Sequence, residues 1–426
     1  MSRPSTTTTT TEINANNLSK IPQWLNKEFF KPAFKQVLNF KEISSIIPIT
    51  TETPDKTVAS DFIRVLLEVK LTDNTIVKTT YLLKSDKLLN TKESTELQPS
   101  NTFLKEKHMY LHIIPVLTKM YASINGLNIK LAPLCMHAAI STEDAVLVLE
   151  DFSRKKFHNV DRFKGFDMLH MRWALRKLAE FHAATTVYFA TQGPYPDLYQ
   201  ESFCNASNIR MVKRITEKRQ LHFRNAMRQW GLPHVEDFIK KMPTIKDYME
   251  AVLNSNNVDP NEINVLNHGQ LFNTNILFNY NESGVIDEAI FIGFQHCNYG
   301  SPAQDLWQLI ITSAELDIKI REFDHFLFIY HAHLIECLKL LKYETEKSWP
   351  TLMDIQQMMF KYGFWGPIAA NTTLCNLLLP TSEQSSFENM FRPGHEGDIL
   401  RYKSFTNPHY AKAMCQLIPF FAYKGI

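Results

Sequence analysis

The stretch that decides the fold reads NHGQLFNTNILF over residues 267–278 and AIFIGFQHCNYGSPAQDL over residues 289–306. Two apolar runs, at residues 275–280 and 289–294, are separated by a segment that begins Asn281-Glu282-Ser283-Gly284. Apolar runs of this length bounded by turn residues predict the two strands of a hairpin, with a loop too long for a two-residue turn. The polar residues around this hairpin, from His268 to Asp305, are the first candidates for chemistry.

Strand patterns dominate the chain before residue 150, and helical patterns dominate after it. Residues 63–69 and 75–83 predict paired strands around a turn at residues 72–74, and residues 145–149 predict another short strand. Residues 18–40 repeat apolar positions at helical spacing, and residues 100–124 also predict helix. Further amphipathic helical segments are predicted after residue 150, at 167–190, 209–230, 303–316, 319–342 and 351–362.

The composition argues against several classes of protein. The chain has 426 residues, of which 44% are hydrophobic, and its formal net charge of +2 provides no attraction to nucleic acid. No apolar run reaches the roughly 18 residues that a membrane-spanning helix needs. The first 17 residues, MSRPSTTTTTTEINANN, predict a disordered Thr-rich tail and not a signal peptide. The six cysteines are scattered, so we expect free thiols and a cytoplasmic protein.

The segment from His268 to Asp305 resembles the catalytic segment of choline-kinase-like proteins, and most closely that of the ecdysteroid-kinase-like family. The family's pattern is His-Gly-Asp-Leu with an asparagine five residues after the aspartate, then a hairpin, Asp-Phe-Gln and Tyr-Gly-Ser-Pro-Ala-Gln-Asp-Leu. The last eight residues of that pattern stand unchanged at positions 299–306. Further similarities lie at residues 21–25, 147–151, 178–183 and 410–426.

The resemblance covers residues 20–426 and implies an α+β fold. That fold is the two-lobed protein-kinase-like fold of the aminoglycoside and choline kinases. It implies a strand-rich N-lobe over residues 18–150 and a mostly helical C-lobe over residues 151–426. The implied activity is transfer of a phosphoryl group from ATP, with Mg²⁺, to a hydroxyl of a small steroid-like or choline-like molecule.

The resemblance also assigns nucleotide-binding positions. It implies a phosphate-binding lysine at Lys84 and a glutamate at Glu106 that orients this lysine. It places Ser60 in the turn over the phosphates, a turn that here lacks the family's glycine, and Glu150 and Phe152 in the hinge. The asparagine on the metal side of the site would be Asn275. The acceptor pocket would lie between the hairpin and the helices of residues 170–240 and 320–380, with Phe364 and Trp365 as candidate lining.

Two positions depart from the family's pattern. Gln270 stands where the family has its catalytic aspartate, and a neutral amide cannot act as a general base at neutral pH. Gly293 stands where the family has its metal-binding aspartate, so this position offers no carboxylate to Mg²⁺. Asp305 and His268 are retained, and we interpret both as scaffold residues. The sequence therefore predicts a catalytically impaired kinase-like protein in which binding of ATP and Mg²⁺ is in doubt.

Two alternatives stay open at this level. A phosphoryl-transfer transition state is loose and needs little help from a base, so an active small-molecule kinase with an atypical site is one of them. A binding or scaffold protein that uses no nucleotide is the other. The expected ligand is a small hydroxylated apolar molecule, and the sequence identifies no protein partner. The basic run at residues 210–228 is interpreted as a solvated helix face.

Overall fold

The computed structural model describes residues 24–34, 39–49, 61–87, 102–124, 127–140, 144–200, 202, 204–205, 208–345, 349–380 and 394–426. The predicted Thr-rich tail lies outside these residues. The backbone divides into two compact units. The first consists of Met1–Pro54, Ser60–Leu88 and Leu134–Arg154, and the second of Asp55–Ala59, Leu89–Pro133 and Lys155–Ile426.

This division differs from the predicted lobes, 18–150 and 151–426, in the placement of the helices after residue 100. These helices belong to the second unit because their side chains pack there. The rings of Tyr110 and Phe294 meet edge to face at 5.3 Å. The hydroxyl of Tyr121 donates a hydrogen bond to the carbonyl of Glu180 at 2.7 Å.

The described part of the first unit contains five strands: β1 (Phe40–Ile49), β2 (Asp61–Leu71), β3 (Ile76–Lys87), β4 (Cys135–Ile140) and β5 (Asp144–Glu150). They form one antiparallel sheet in the order β1-β2-β3-β5-β4. Alternate residues of a strand face opposite sides, so Val65, Leu67 and Val69 share one buried face. Helix α1 (Lys27–Phe34) packs its apolar residues against that face. The three strands predicted from the sequence are confirmed: those at 63–69 and 145–149 lie inside longer strands, and the one at 75–83 begins one residue before β3 and ends within it.

Helices dominate the second unit, as predicted. They are α2 (Thr102–His108), α3 (Ile114–Ala122), α4 (Met168–Gln192), α5 (Ile209–Met227), α6 (Val235–Lys241), α7 (Ile245–Asn254), α8 (Ala303–Ser313), α9 (Leu316–Arg321), α10 (Phe323–Leu340), α11 (Leu352–Lys361), α12 (Trp365–Ala369), α13 (Cys375–Leu377), α14 (His395–Thr406) and α15 (Pro408–Tyr423). A five-residue π-helical stretch, Ala370–Leu374, joins α12 to α13. Within the described residues, none of the helices combines the length and the apolar character that crossing a membrane requires.

Capping residues define the ends of the long central helix α4. The carboxylate of Asp167 accepts hydrogen bonds from the backbone N–H groups of Leu169 and His170, which would otherwise lack partners in the first turn. The helix ends at Gly193, whose φ of 89° is a conformation that favours glycine. The α4 residues between these caps are buried along most of their length and form the centre of the helical unit.

Short strands hold the loops that carry the candidate site. Strand β6 (Phe157–His158) pairs with β8 (Ile276–Tyr280), which pairs with β9 (Ile286–Phe291), and β7 (Val265–Asn267) pairs with β10 (Asn298–Gly300). Strand β7 runs directly into the loop that contains Gln270, and β10 directly follows the turn that contains Gly293. The β7–β10 and β8–β9 pairings therefore bring these two loops together.

The second hairpin strand was predicted too late, at residues 289–294. It begins at Ile286 and ends at Phe291, because Gly293 turns the chain into a left-handed conformation with φ of 85° and a 3₁₀ turn follows at Phe294–His296. The predicted helices at 303–316 and 319–342 were also misplaced at their junction. An extended residue, Ala314, ends α8 after Ser313, and α9 and α10 are separate helices.

Candidate functional site

The loop that carries Gln270 is anchored by Asp305, in the first turn of α8. One carboxylate oxygen of Asp305 accepts the backbone N–H of His268 at 2.6 Å, and the other accepts that of Gly269 at 2.9 Å. The ring of His182 approaches the same carboxylate at 3.2 Å and contacts the hydroxyl of Tyr330 at 2.8 Å through its other nitrogen. Burial lowers the pKa of His182, and Asp305 opposes this shift. The expected scaffold role of Asp305 is confirmed.

His268 is a second scaffold residue of this loop. Its ring is fully buried, with Nε2 3.0 Å from the carbonyl oxygen of Ile292 and Nδ1 accepting the backbone N–H of Gln270 at 3.3 Å. Because Nδ1 accepts, the proton resides on Nε2 and the ring is neutral in this arrangement. Both nitrogens are used to hold backbone, so His268 is not placed to act as a base.

Gly269 allows two loops to approach closely. Its φ is 80°, and a Cβ atom at this position would lie 2.1 Å from the carbonyl oxygen of His296. No side chain fits at that distance, so only glycine permits this contact between the loop and the turn after Gly293.

The three positions singled out in the sequence as reacting or metal-side residues lie together. The side-chain amide of Asn275 donates to the carbonyl of Gln270 at 2.8 Å, and the carbonyl of Asn275 accepts the N–H of Ile292 at 3.0 Å. A Cβ atom built on Gly293 would lie 3.2 Å from Oδ1 of Asn275. The side chain of Gln295 donates to Oε1 of Gln270 at 3.2 Å. Gln270, Asn275, Gly293 and Gln295 are called the amide cluster below.

The amide cluster does not fit Mg²⁺. This ion is usually held by one or two carboxylates together with substrate phosphates, and the cluster contains no carboxylate. The carboxylate of Asp305 already receives two backbone N–H groups. Across the described residues, no group of three or more His, Cys, Asp or Glu side chains could hold a metal ion.

The predicted nucleotide-binding residues lie in both units. Lys84 is a buried residue of β3, in register with Leu147 of β5, and belongs to the first unit. Glu106 is buried in α2 of the second unit. Ser60 lies outside the described residues. The structure therefore describes Lys84 and Glu106, each within its own unit.

The predicted hinge residues close a tight turn at the end of β5. The N–H of Glu150 donates to Leu134, and the N–H of Phe152 donates to the carbonyl of Glu150 at 2.9 Å. The buried carboxylate of Asp151 accepts from Nε of Arg64 at 2.9 Å, and Ser153 joins the same cluster at 2.7 Å from Asp151. The backbone donor of Phe152 is thus already used inside the turn.

A cavity of about 720 Å³ lies in the second unit and reaches the amide cluster at Gln270. Its wall is mostly apolar, and its volume falls within the range of typical small-molecule sites. Phe364 and Trp365, the two candidate lining residues of the predicted acceptor pocket, line this cavity, and its role as an acceptor pocket stays a prediction. The remaining wall comes mainly from residues of helices α5, α7, α12 and α15 and of the π-helical stretch Ala370–Leu374.

Arg219 is a lining residue that sequence reasoning did not assign to a cavity. It was counted with the solvated basic face of residues 210–228, and Arg210, Lys213 and Lys218 are indeed exposed. Arg219 instead is 6% exposed, because it continues the apolar stripe of α5 formed by Val212, Ile215 and Phe223 at steps of three and four residues. That spacing was the available signal, since it assigns this one arginine to the buried side of the helix.

Backbone and aromatic groups hold the Arg219 guanidinium at the cavity wall. It donates to the carbonyl of Asn371 and lies 5.5 Å from the centre of the Phe405 ring. Burial raises the pKa of Tyr248, another lining residue, and the nearby positive charge of Arg219 opposes this shift. The mostly apolar wall of the cavity therefore includes a buried, positively charged side chain at Arg219.

A model of the ecdysteroid kinase-like family matches residues 55–343, which is more than half of the chain. A solved structure described as a fructosamine-3-kinase, from Haemophilus somnus 129PT, is 12% identical and covers 71% of this chain and 91% of its own, with a TM-score of 0.28. A superposition this loose carries no argument. The search of curated proteins finds no match.

Proposed function

The chain belongs to the ecdysteroid kinase-like family, and from this premise we propose that it binds a small apolar, hydroxyl-bearing molecule in the cavity beside Gln270 and phosphorylates it slowly or not at all. One observation carries the proposal. The residue at the family's general-base position lines a cavity of ligand size, but it is an amide held by Gln295.

The loss of reactivity follows from two missing carboxylates. General-base assistance typically contributes about 10²–10⁴ in rate, and Gln270 cannot supply it. Phosphoryl transfer also depends on neutralising the charge of the triphosphate, and metal ions bridging the β- and γ-phosphates supply much of that neutralisation. Gly293 leaves Asn275 facing a position without a carboxylate. Binding of the hydroxylated ligand does not require either carboxylate, so it is the activity that these changes leave in place.

Two features bear on nucleotide binding in opposite directions. Lys84 supports it, because this lysine is buried on the sheet at the position that the family uses for phosphate. The closed turn at Phe152 supports the opposite case, a binding protein that needs no nucleotide. The backbone N–H of Phe152 already donates to the carbonyl of Glu150 and is not available to a nucleotide in this arrangement. The six free thiols support a reducing compartment such as the cytoplasm.

The test restores both carboxylates. The double variant Gln270→Asp with Gly293→Asp is compared with the unmodified protein. The control is Gln357→Asp, at an exposed position of α11, which adds one negative charge as each of the two site substitutions does. Transfer of labelled γ-phosphate from ATP-Mg to a hydroxysteroid or to choline is measured. We expect at least a hundredfold gain for the double variant and none for the control.

Two results would contradict the proposal in different ways. Unmodified protein that turns over as fast as the double variant would show that catalysis is not impaired. The second result is a failure of both a hydroxysteroid and choline to bind the unmodified protein, measured by calorimetry without nucleotide. The cavity would then not be a binding site for these two classes of ligand.

A further inference from the structure

Most hydroxyl groups in the wall of the cavity beside Gln270 already have hydrogen-bond partners inside the protein. In the described wall these side chains are Ser202, Thr216, Thr372 and Thr373. Three of them donate to backbone carbonyls, and Thr373 accepts the side-chain amide of Gln308 at 2.8 Å. Each of these hydroxyls therefore has a partner when no ligand is present.

Tyr248 is the exception among the hydroxyls of the described wall. It lines the same cavity and is partly buried, yet its hydroxyl has no hydrogen-bond partner within the described residues. Its oxygen is not one of the unpartnered polar atoms that packing seals off in the described structure, so it stays accessible. Burial raises the pKa of Tyr248 above its ordinary value of 10, so the group is protonated at neutral pH and can both donate and accept.

Helix α7 holds the Tyr248 ring in this wall. The helix begins at a capping box, in which the Thr244 hydroxyl accepts the N–H of Asp247 at 3.2 Å and the Asp247 carboxylate accepts the N–H of Thr244 at 3.1 Å. Val252, one turn further along, and Phe364 pack with Tyr248 in one apolar cluster. A polar group that is placed on a mostly apolar wall in this way can fix the orientation of a bound molecule.

We propose that Tyr248 is a specificity-determining residue of the cavity, and that its hydroxyl binds a ligand oxygen other than the hydroxyl beside Gln270. The inference rests on the proposed function, because it concerns the same ligand in the same cavity. Tyr248 belongs to α7, whereas Gln270 belongs to the loop after β7, where its side chain accepts from Gln295. The preferred ligand thus has oxygen at two positions on an apolar framework, and each oxygen has its own partner in the wall.

Two steroids that differ by one oxygen test this arrangement: androstanediol, with a hydroxyl at each end, and androstanol, with a hydroxyl at one end. Binding to the full chain is measured by equilibrium dialysis with radiolabelled steroid, at neutral pH and without nucleotide. We expect the unmodified protein to bind androstanediol about twofold to tenfold more tightly than androstanol, which is the range for one neutral hydrogen bond.

The variant Tyr248→Phe removes the hydroxyl and keeps the ring. The two steroids are then expected to bind within about twofold of each other, because each has one remaining partner, beside Gln270. Tyr402→Phe, at an exposed tyrosine of α14 outside the wall, makes the same chemical change and should retain the preference. The midpoint of urea denaturation should not fall in Tyr248→Phe, since no hydrogen bond within the described residues is lost.

The outcomes are distinguishable. Binding of both steroids without a preference for androstanediol, or a preference that persists in Tyr248→Phe, would overturn the role of Tyr248 and leave the proposed function standing. Loss of the preference in Tyr402→Phe, or a lower urea midpoint in Tyr248→Phe, would overturn it in the same way. Failure of both steroids to bind, with choline bound, would overturn the inference alone, and failure of all three would overturn the proposed function as well.

Discussion

Two sides of the same loop behave differently in this molecule. On the buried side, His268 and Asp305 retain the residues of the family pattern, and their polar atoms have partners there. Gly269 is also retained, and its lack of a Cβ allows the close contact with His296. Gln270, which lines the cavity, departs from the pattern, and so does Gly293, a buried residue that faces Asn275. The scaffold supports the loop whatever chemistry the loop performs, so the reacting residues can change while the fold persists.

The largest effect is expected on the buried side. Asp305→Ala leaves the backbone N–H groups of His268 and Gly269 without their acceptor, and we expect a loss of about 3–5 kcal/mol in the free energy of unfolding. Gln270→Ala on the cavity side should cost about 1 kcal/mol or less, since it removes one neutral hydrogen bond. Urea denaturation measures both, with Asp317→Ala, an exposed residue of α9, as the control. Equal losses for Asp305→Ala and Gln270→Ala would break the comparison.

Substitutions at Gly269 and Gly284 distinguish the cost of a steric clash from the cost of backbone strain. Gly269 and Gly284 have similar φ values, 80° and 75°, but only Gly269 has a backbone atom in the way of a Cβ, whereas nothing lies within 4 Å at Gly284. Gly284→Ala should therefore cost only the strain of about 1–2 kcal/mol. Gly269→Ala should cost about 3 kcal/mol or more, since overpacking is added. A loss at Gly269 no larger than at Gly284 would mean that the two loops separate easily.

The third prediction concerns the other end of α8, the helix that carries Asp305. The ammonium of Lys319 donates to the carbonyl of Ile311 at 2.7 Å, and burial lowers the pKa of Lys319 to about 7 from a usual value of 10.5. Between these values the unfolded chain binds more protons than the folded chain, so stability should rise as pH increases from about 7 to about 10.

Lys319→Met removes the titrating group and should flatten that part of the stability curve. Denaturation at a series of pH values measures the difference between the variant and the unmodified protein, which cancels the contribution of other groups. Lys339→Met, on the exposed face of α10, serves as the matched control. The predicted direction would be contradicted if stability fell with increasing pH in proteins that retain Lys319 and did not fall in Lys319→Met.

The smallest effect is expected at Gly293. Gly293→Asn and Gly293→Asp place a side chain at φ of 85°, against Asn275, and each should cost about 1–2 kcal/mol, because Asn and Asp tolerate this region better than most residues. The two variants have the same shape but differ in charge. ATP and Mg²⁺ should raise the unfolding temperature of the Asp variant but not that of the Asn variant, as measured by thermal unfolding with and without both ligands. Equal stabilisation of both would show that the lost carboxylate has no part in metal binding.

Most of what the sequence predicted depends on residues close together in the chain. The strands at 63–69, 75–83 and 145–149 and the helix at 351–362 followed from local periodicity. The roles of His268 and Asp305 followed from a contiguous motif. The errors fell at element ends, such as the strand placed at 289–294, because the left-handed turn at Gly293 is not marked by a change in apolar pattern. The roles of Lys84, Glu106, Ser60, Glu150 and Phe152 stay predictions.

The sequence by itself determined the family, the two-part α+β fold and the absence of carboxylates at two positions, because residue identity and short-range spacing contain that information. Only the tertiary structure decided that Gln270 lines a cavity, that Asn275 faces Gly293 and that Arg219 lies in an apolar wall. The wall is assembled from helices far apart in the chain, and burial of a charge depends on what packs around it. No local pattern specifies those neighbours.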